Sequence, residues 1–326
     1  MDFTRKQFLH SAAAFALAAR AGIGTARADD NYPSRDIHMI CGFGPGSGAD
    51  ILVRFFAEKL RPIAGHPVIV ENRVGANSNI ATEYVARSKP DGYTLYLFAG
   101  TTVAATMALF KNPPVDPGKT LDAIATTSNL AFMLMVDAKS PYKTVAELTE
   151  AMKKKGDKVT YASTANPGTI MGTLYKNAIG IDAVEVLYKS GPESLNEILS
   201  GKLDYGMYDP IFGLAQAREG RMRILAVSTS ERLKSAPDIP TMKESGIPMD
   251  LNLWWGVMVA KGTPKPIALK INKWFSDIAS SEDGRKFLAL SGADPMIRTP
   301  EETQEMFLKA IPEWAEYVRI AKIPKT

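Results

Sequence analysis

An α/β fold in two lobes is what this sequence predicts, on three observations. Short apolar runs alternate with helically spaced ones, turns rich in Gly, Pro and Asn separate them, and the length exceeds what one core usually serves.

The first unit begins with the apolar run Ile37–Cys41, which meets Gly42-Phe43-Gly44-Pro45-Gly46-Ser47-Gly48-Ala49-Asp50. The helical spacing of Ile51, Leu52, Phe55, Phe56 and Leu60 follows. A strand, a glycine-rich turn and a helix start direct unpaired backbone N–H groups at one point, which suits an anion. No His, Lys or Cys stands beside a base there, so capture of a carboxylate or phosphate is favoured over its conversion.

Strand-like runs at 67–71 and 93–98 flank a helical stretch at 80–87, with Pro90-Asp91-Gly92 as a turn. This rhythm implies parallel βαβ units. Just before that helix, Asn79 is placed to cap it while Asn77 and Ser78 face a cleft. The rhythm resumes at 132–136, and Thr144-Val145-Ala146-Glu147 then reads as a capping box in which each side chain satisfies the other's backbone donor. Val145, Leu148, Ala151 and Met152 give that helix one buried face.

A second anion-facing turn follows the run 159–162. Ser163-Thr164-Ala165-Asn166-Pro167-Gly168-Thr169 offers hydroxyls and amides that can cap the next helix and donate to a ligand carboxylate. A strand at 184–188, a helix opened by Gly191-Pro192 and closed near Gly201, and strands at 203–208 and 222–228 complete that lobe. The run 254–260 is a buried strand, Ile267, Ile271, Trp274, Phe275 and Ile278 form a core-facing stripe, and the last helix opens at Thr299 with a kink expected at Pro312. Pro-containing loops follow 132–136 and 254–260, marking where the chain passes between lobes: 29–135 plus 251–326 form the first and 136–250 the second.

Upstream of all this, Arg5-Lys6-Gln7-Phe8-Leu9, a small apolar run and Ala26-Arg27-Ala28 read as an export signal over residues 1–28. Arg20 interrupts a run already too short to span a membrane. The formal charge of +4 largely belongs to that signal, since its removal leaves 35 basic against 34 acidic residues. Without a basic block, nucleic acid is not an expected partner. Cys41 is the single cysteine, so the exported chain must rely on burial rather than an internal disulfide.

Catalytic readings fare poorly. No Ser stands in a G-x-S-x-G elbow, and His38 and His66 lack partners at metal-ligand spacing, so no catalytic residue and no metal are expected. One alternative stays open: Gly44-x-Gly46-x-x-Ala49 fits a dinucleotide fingerprint with Glu71 as the ribose contact, which would make an exported NAD(P)-dependent oxidoreductase.

Six segments occur in order: Gly44 to Asp50, Glu71 to Ile80, Pro90 to Leu95, Lys143 to Leu148, Tyr188-Lys189-Ser190-Gly191 and Gly262-Thr263-Pro264-Lys265. Together they resemble the extracytoplasmic solute receptors of tripartite tricarboxylate transporters, also called the Bordetella uptake protein family, over essentially the whole mature chain. The resemblance implies a monomeric, two-lobed, periplasmic binding protein-like fold without a cofactor, which holds a small organic acid in its cleft and hands it to a membrane permease. It also implies ligand contacts at Phe43, Gly44, Gly46, Ser47, Asp50, Asn79, Thr101 and Thr102 in the first lobe. In the second it implies Ser163, Thr164, Asn166, Thr169 and Tyr208-Asp209, where the family commonly has Phe-Asp, with Trp254 also in the cleft. The turn after Ser163 is shorter than the family's and lacks a His, and Trp254-Trp255-Gly256 replaces the commoner Trp-Tyr-Gly, so substrate identity does not transfer. Trp255 fits core or cleft equally.

Overall fold

The computed structural model describes residues 31–188 and 190–326; the expected export signal and Lys189 lie outside the described residues. Two sheets carry the molecule. The first has strand order β11-β4-β10-β3-β1-β2, where β1 is Ile37–Cys41, β2 Val68–Asn72, β3 Thr94–Ala99, β4 Leu121–Leu130, β10 Leu253–Ala260 and β11 Ala293–Pro295. The second has order β7-β6-β8-β5-β9, where β5 is Met133–Asp137, β6 Thr160–Thr164, β7 Val184–Tyr188, β8 Tyr205–Tyr208 and β9 Met222–Val227. The main helices are α1 (Gly48–Ala64), α2 (Asn79–Ala86), α3 (Gly100–Ala104), α4 (Val145–Lys155), α5 (Ala165–Ile179), α6 (Gly191–Leu199), α7 (Pro210–Arg218), α8 (Lys265–Ser280), α9 (Glu282–Leu290) and α10 (Pro300–Ile320).

The expected parallel units hold only in part of each sheet. β1 runs parallel to β2 and β3, and β6 to β7 and β8. Strands β10 and β5 enter from the other lobe, so they arrive without a crossover helix and pair antiparallel to their neighbours. Strand β4 was not expected, because Thr126, Thr127 and Ser128 look like a loop. All three are buried, and the backbone around them is paired on both sides, to β10 and β11.

The chain passes between sheets at residues 131–132 and again over 228–252, immediately before the two apolar runs. All of β5 pairs within the second sheet, including residues 133–135. Ser228 ties both passages together: its hydroxyl accepts from the Phe132 N–H at 3.1 Å and donates to the Leu251 carbonyl at 2.9 Å. Ser228 is fully buried, so both of these bonds are shielded from water.

Cores form where amphipathic faces meet the sheets. Val53, Phe56 and Leu60 of α1 pack with Ile271 and Phe275 of α8 on one face of the first sheet. On the other face, Ala81 and Val85 of α2 share one cluster with Phe307 and Trp314 of α10, and this cluster continues into Leu134, Tyr161 and Tyr205 of the second sheet. Helix α10 runs on past Pro312 and starts with a full capping box, in which Glu302 accepts from the Thr299 N–H at 2.9 Å and the Thr299 hydroxyl accepts from the Glu302 N–H. The box expected at Thr144 is only half made. Its hydroxyl accepts from the Glu147 N–H, but the Glu147 carboxylate reaches one residue further back, to the Lys143 N–H at 2.6 Å.

Candidate functional site

At the start of α1, Ser47 is the extended N-cap residue and its hydroxyl accepts from the Asp50 N–H at 3.2 Å. The Asp50 carboxylate, 2% exposed, accepts from the Gly46 N–H at 2.8 Å, Arg54 Nε at 2.8 Å and Asn72 Nδ2 at 2.7 Å. The Arg54 guanidinium bonded to it, helped by Asn72 and the Gly46 N–H, outweighs burial and holds the Asp50 carboxyl down to about 2. Asp50 is thus the brace of the turn, and the Gly46 N–H is spent on it. Gly46 itself sits at φ +78°, where a side chain would be strained. Among the described residues no hydrogen bond uses the N–H groups of Gly48 and Ala49, so these are the donors left at the helix start.

A second first-lobe group stands beside this turn. Ala76, Asn77 and Ser78 have φ of 45°, 50° and 68°, three successive left-handed residues that cost roughly 1–2 kcal/mol each. The Ser78 hydroxyl, expected to face the cleft, instead donates to the Gly42 carbonyl at 3.2 Å, which staples this left-handed turn to the end of β1. Asn79 does not cap α2 either; it is the first helical residue, and its Oδ1 accepts from the Thr106 hydroxyl at 3.0 Å. Its Nδ2 is buried with no partner among the described residues, a donor whose isolation costs about 1–3 kcal/mol.

Strand alternation separates the two tryptophans. Trp254 is 4% exposed and lies so close to Gly100 that a Cβ there would sit 2.1 Å from its ring; Phe98 packs edge-on at 5.1 Å. Trp255 points to the other face and meets Phe43 with ring centroids 5.7 Å apart. At the start of α3, Thr101 is buried and Thr102 half-buried.

In the second lobe, neither Ser163 nor Thr164 caps α5 through its side chain. The buried Ser163 hydroxyl donates to the Glu185 carboxylate on β7 and lies 3.4 Å from the Thr169 hydroxyl. Thr164 Oγ1 is buried without a partner among the described residues, while Asn166 and Thr169 are half-buried. Tyr208 is fully buried against Phe212, and its hydroxyl bonds Ser194 at 2.7 Å; burial pushes that hydroxyl's pKa up. Asp209 caps α7 by accepting from the Phe212 N–H at 3.0 Å, and burial pushes its carboxyl up.

The lobes meet where the first turns of α1 and α7 face each other. A Cβ on Gly48 would lie 2.7 Å from Cδ1 of Ile211, and one on Gly292 would lie 2.6 Å from Pro210. Glycine at both places lets α7 approach the first lobe. Ile211, 47% exposed, carried no sequence signal for this role; Asn72 lay inside a quoted motif without being singled out, and Glu185 lay unmarked in a strand.

Among the described residues, both arginines near the first turn are already engaged. Arg54 holds Asp50 and Asn72, while Arg73 pairs with Glu71 at 2.8 Å and lies over the Tyr84 ring at 3.4 Å. Glu71 also bonds His38 at 2.6 Å. Among the described residues no group of three or more His, Cys, Asp or Glu could hold a metal ion.

A family model described as "Tripartite tricarboxylate transporter family receptor" matches residues 52–319. The chain belongs to this receptor family. The receptor is 30% identical to Protein BugT of Bordetella pertussis over 92% of this chain and 94% of that one. Among solved structures it is similar to the periplasmic binding protein BugD, with a TM-score of 0.74, 29% identity and coverage of 90% of this chain and 100% of that one. It is also similar to Rpa4515 of R. palustris, solved with adipate, with a TM-score of 0.78, 25% identity and coverage of 91% and 100%. The oxidoreductase alternative is not favoured: the family match is to a receptor, the Asp50 carboxylate takes the Gly46 N–H, and Glu71 is taken by His38 and Arg73. No helix among the described residues is long and apolar enough to cross a membrane.

Proposed function

We propose that this receptor captures a small organic acid between its lobes outside the cytoplasm, leaves it chemically unaltered, and delivers it as a monomer to the membrane subunits of a tripartite transporter. In this reading one lobe ends at the passage at 131–132 and resumes at 251–326, and the other is the segment between.

The observation that carries this reading is the facing pair of helix starts, with Gly48 of α1 against Ile211 of α7. Gly48 and Ala49 supply N–H donors there and Ser47 shapes the turn. Each helix start contributes about 0.3–1 kcal/mol to holding an anion, rising to ~2 when partly buried. With the nearby arginines engaged, capture by such neutral donors is firm yet reversible, as a delivery cycle requires. Closure couples capture to recognition, because groups from both lobes meet the ligand only when the lobes are together. The adipate in Rpa4515 supports a carboxylate as the ligand class.

Titration calorimetry with mono-, di- and tricarboxylates tests this. At least one acid is expected to bind, and Ser47→Trp should weaken it by more than about tenfold while circular dichroism stays unchanged. Undiminished affinity in that variant, or turnover of the bound acid, rejects the reading.

A further inference from the structure

We propose that a groove at the end of α10 docks the receptor on the anionic surface of a lipid bilayer, through lysines on its rim and apolar side chains on its floor. It stands apart from the carboxylate-capture reading, since neither helix-start turn takes part.

The last turn of α10 and the short helix Thr106–Leu109 enclose this groove, with a volume of about 450 Å³ and a floor of Met107, Ala315, Val318 and Ile323. Its rim carries Arg319, Lys322 and Lys325, and no carboxylate lines it. Helix α10 ends in a Schellman turn, where the Ile323 N–H donates to the Val318 carbonyl and the Lys322 N–H to the Arg319 carbonyl, both at 3.1 Å. That turn brings Ile323 back beside Val318. Its pivot is Lys322 at φ +52°, a position glycine fills without strain, yet the exposed lysine side chain makes no ion pair or hydrogen bond among the described residues. The strain thus serves no contact within the fold.

Lys325 has no carboxylate partner either, since its Nζ lies 3.4 Å from the Met107 carbonyl. The tail that carries it is pinned: the Thr326 N–H donates to the Leu109 carbonyl and the Lys111 N–H to the Thr326 carbonyl, both at 2.9 Å. Without residues 1–28 the chain balances 35 basic against 34 acidic residues, so this gathering of cations is local. Lysines are compact point charges that suit a diffuse anionic surface, whereas a peptide carboxylate is best matched by an arginine fork, and Glu316 already takes Arg319 at 2.5 and 2.7 Å. The apolar floor, with exposed Met107, suits the acyl boundary just beneath the phosphates.

Co-sedimentation of the mature receptor with vesicles of phosphatidylglycerol and phosphatidylethanolamine tests this, with phosphatidylcholine vesicles as the neutral comparison. Only the anionic vesicles should bind, and about 0.5 M salt should release the receptor. Lys325→Ala should weaken the association about fivefold. Lys322→Gly should do the same while relieving the strained φ, so its melting temperature should not fall. Lys286→Ala, on α9 against the opposite face of the first sheet, should change nothing. Binding to neither vesicle, equal binding to both, or an equal loss in Lys286→Ala overturns the proposal; tighter binding to polyglutamate than to the anionic vesicles overturns it in favour of an acidic polypeptide.

Discussion

The turns that open α1 and α5 look alike in sequence and differ in electrical character. Each follows a strand, offers hydroxyls at a helix start, and has a carboxylate behind it. Behind α1, Asp50 is bonded to Arg54 and Asn72, so its charge is matched and the helix-start N–H groups still attract an anion. Behind α5, Glu185 consumes the Ser163 hydroxyl, and no ion pair to it exists among the described residues. Hydroxyls at a helix start do not by themselves make an anion trap; the group behind them decides.

Breaking each carboxylate's pairing should expose this contrast. Asp50→Ala strands three donors, one of them cationic, and is expected to cost about 2–4 kcal/mol in urea unfolding. A loss under about 1 kcal/mol would mean the brace is ornamental. Acid should dismantle the same brace. The Asp50 carboxyl is depressed to about 2, so its contribution is complete above its unperturbed value of 3.8 and disappears as pH falls from about 4 to about 2. That contribution is on the order of 2 kcal/mol, and Asp50→Asn should lack this part of the acid dependence.

At the α5 turn, Ser163→Ala should cost only about 1 kcal/mol, because the half-exposed Glu185 can turn to water. A cost equal to that of Asp50→Ala would erase the contrast. The smallest effect is expected at the start of α7. Burial raises the Asp209 carboxyl, so its charged form is disfavoured in the fold and the penalty is relieved as pH falls. Asp209→Asn keeps a capping oxygen without that charge, and thermal melts at neutral pH should show a change within about 0.5 kcal/mol, in the stabilising direction.

How much of this was legible in the sequence depended on whether the cause was local. Strand β1, its turn and α1 could be read because an apolar run, glycines and helical spacing adjoin one another. Strand β4 could not, since Thr126, Thr127 and Ser128 become strand only through distant β10 and β11. The faces of Trp254 and Trp255 were settled by a register no local pattern encodes. Within those turns, the motifs did not tell what each side chain does. Asp50 acquires its bracing role from Asn72 on the neighbouring strand, Ser163 is claimed by Glu185 from another, and Ile211 reaches Gly48 from the opposite lobe.

Strand β10 lies between β4 and β3 in the first sheet, although it is separated from both by the whole second sheet along the chain. During synthesis, therefore, a nascent polypeptide ending before Leu253 holds β1, β2 and β3 as a ribbon with an unpaired edge and β4 as a stray segment. The strands of the second sheet pair with nothing after β9, so the sheet that the chain begins first is the sheet whose pairing is completed last.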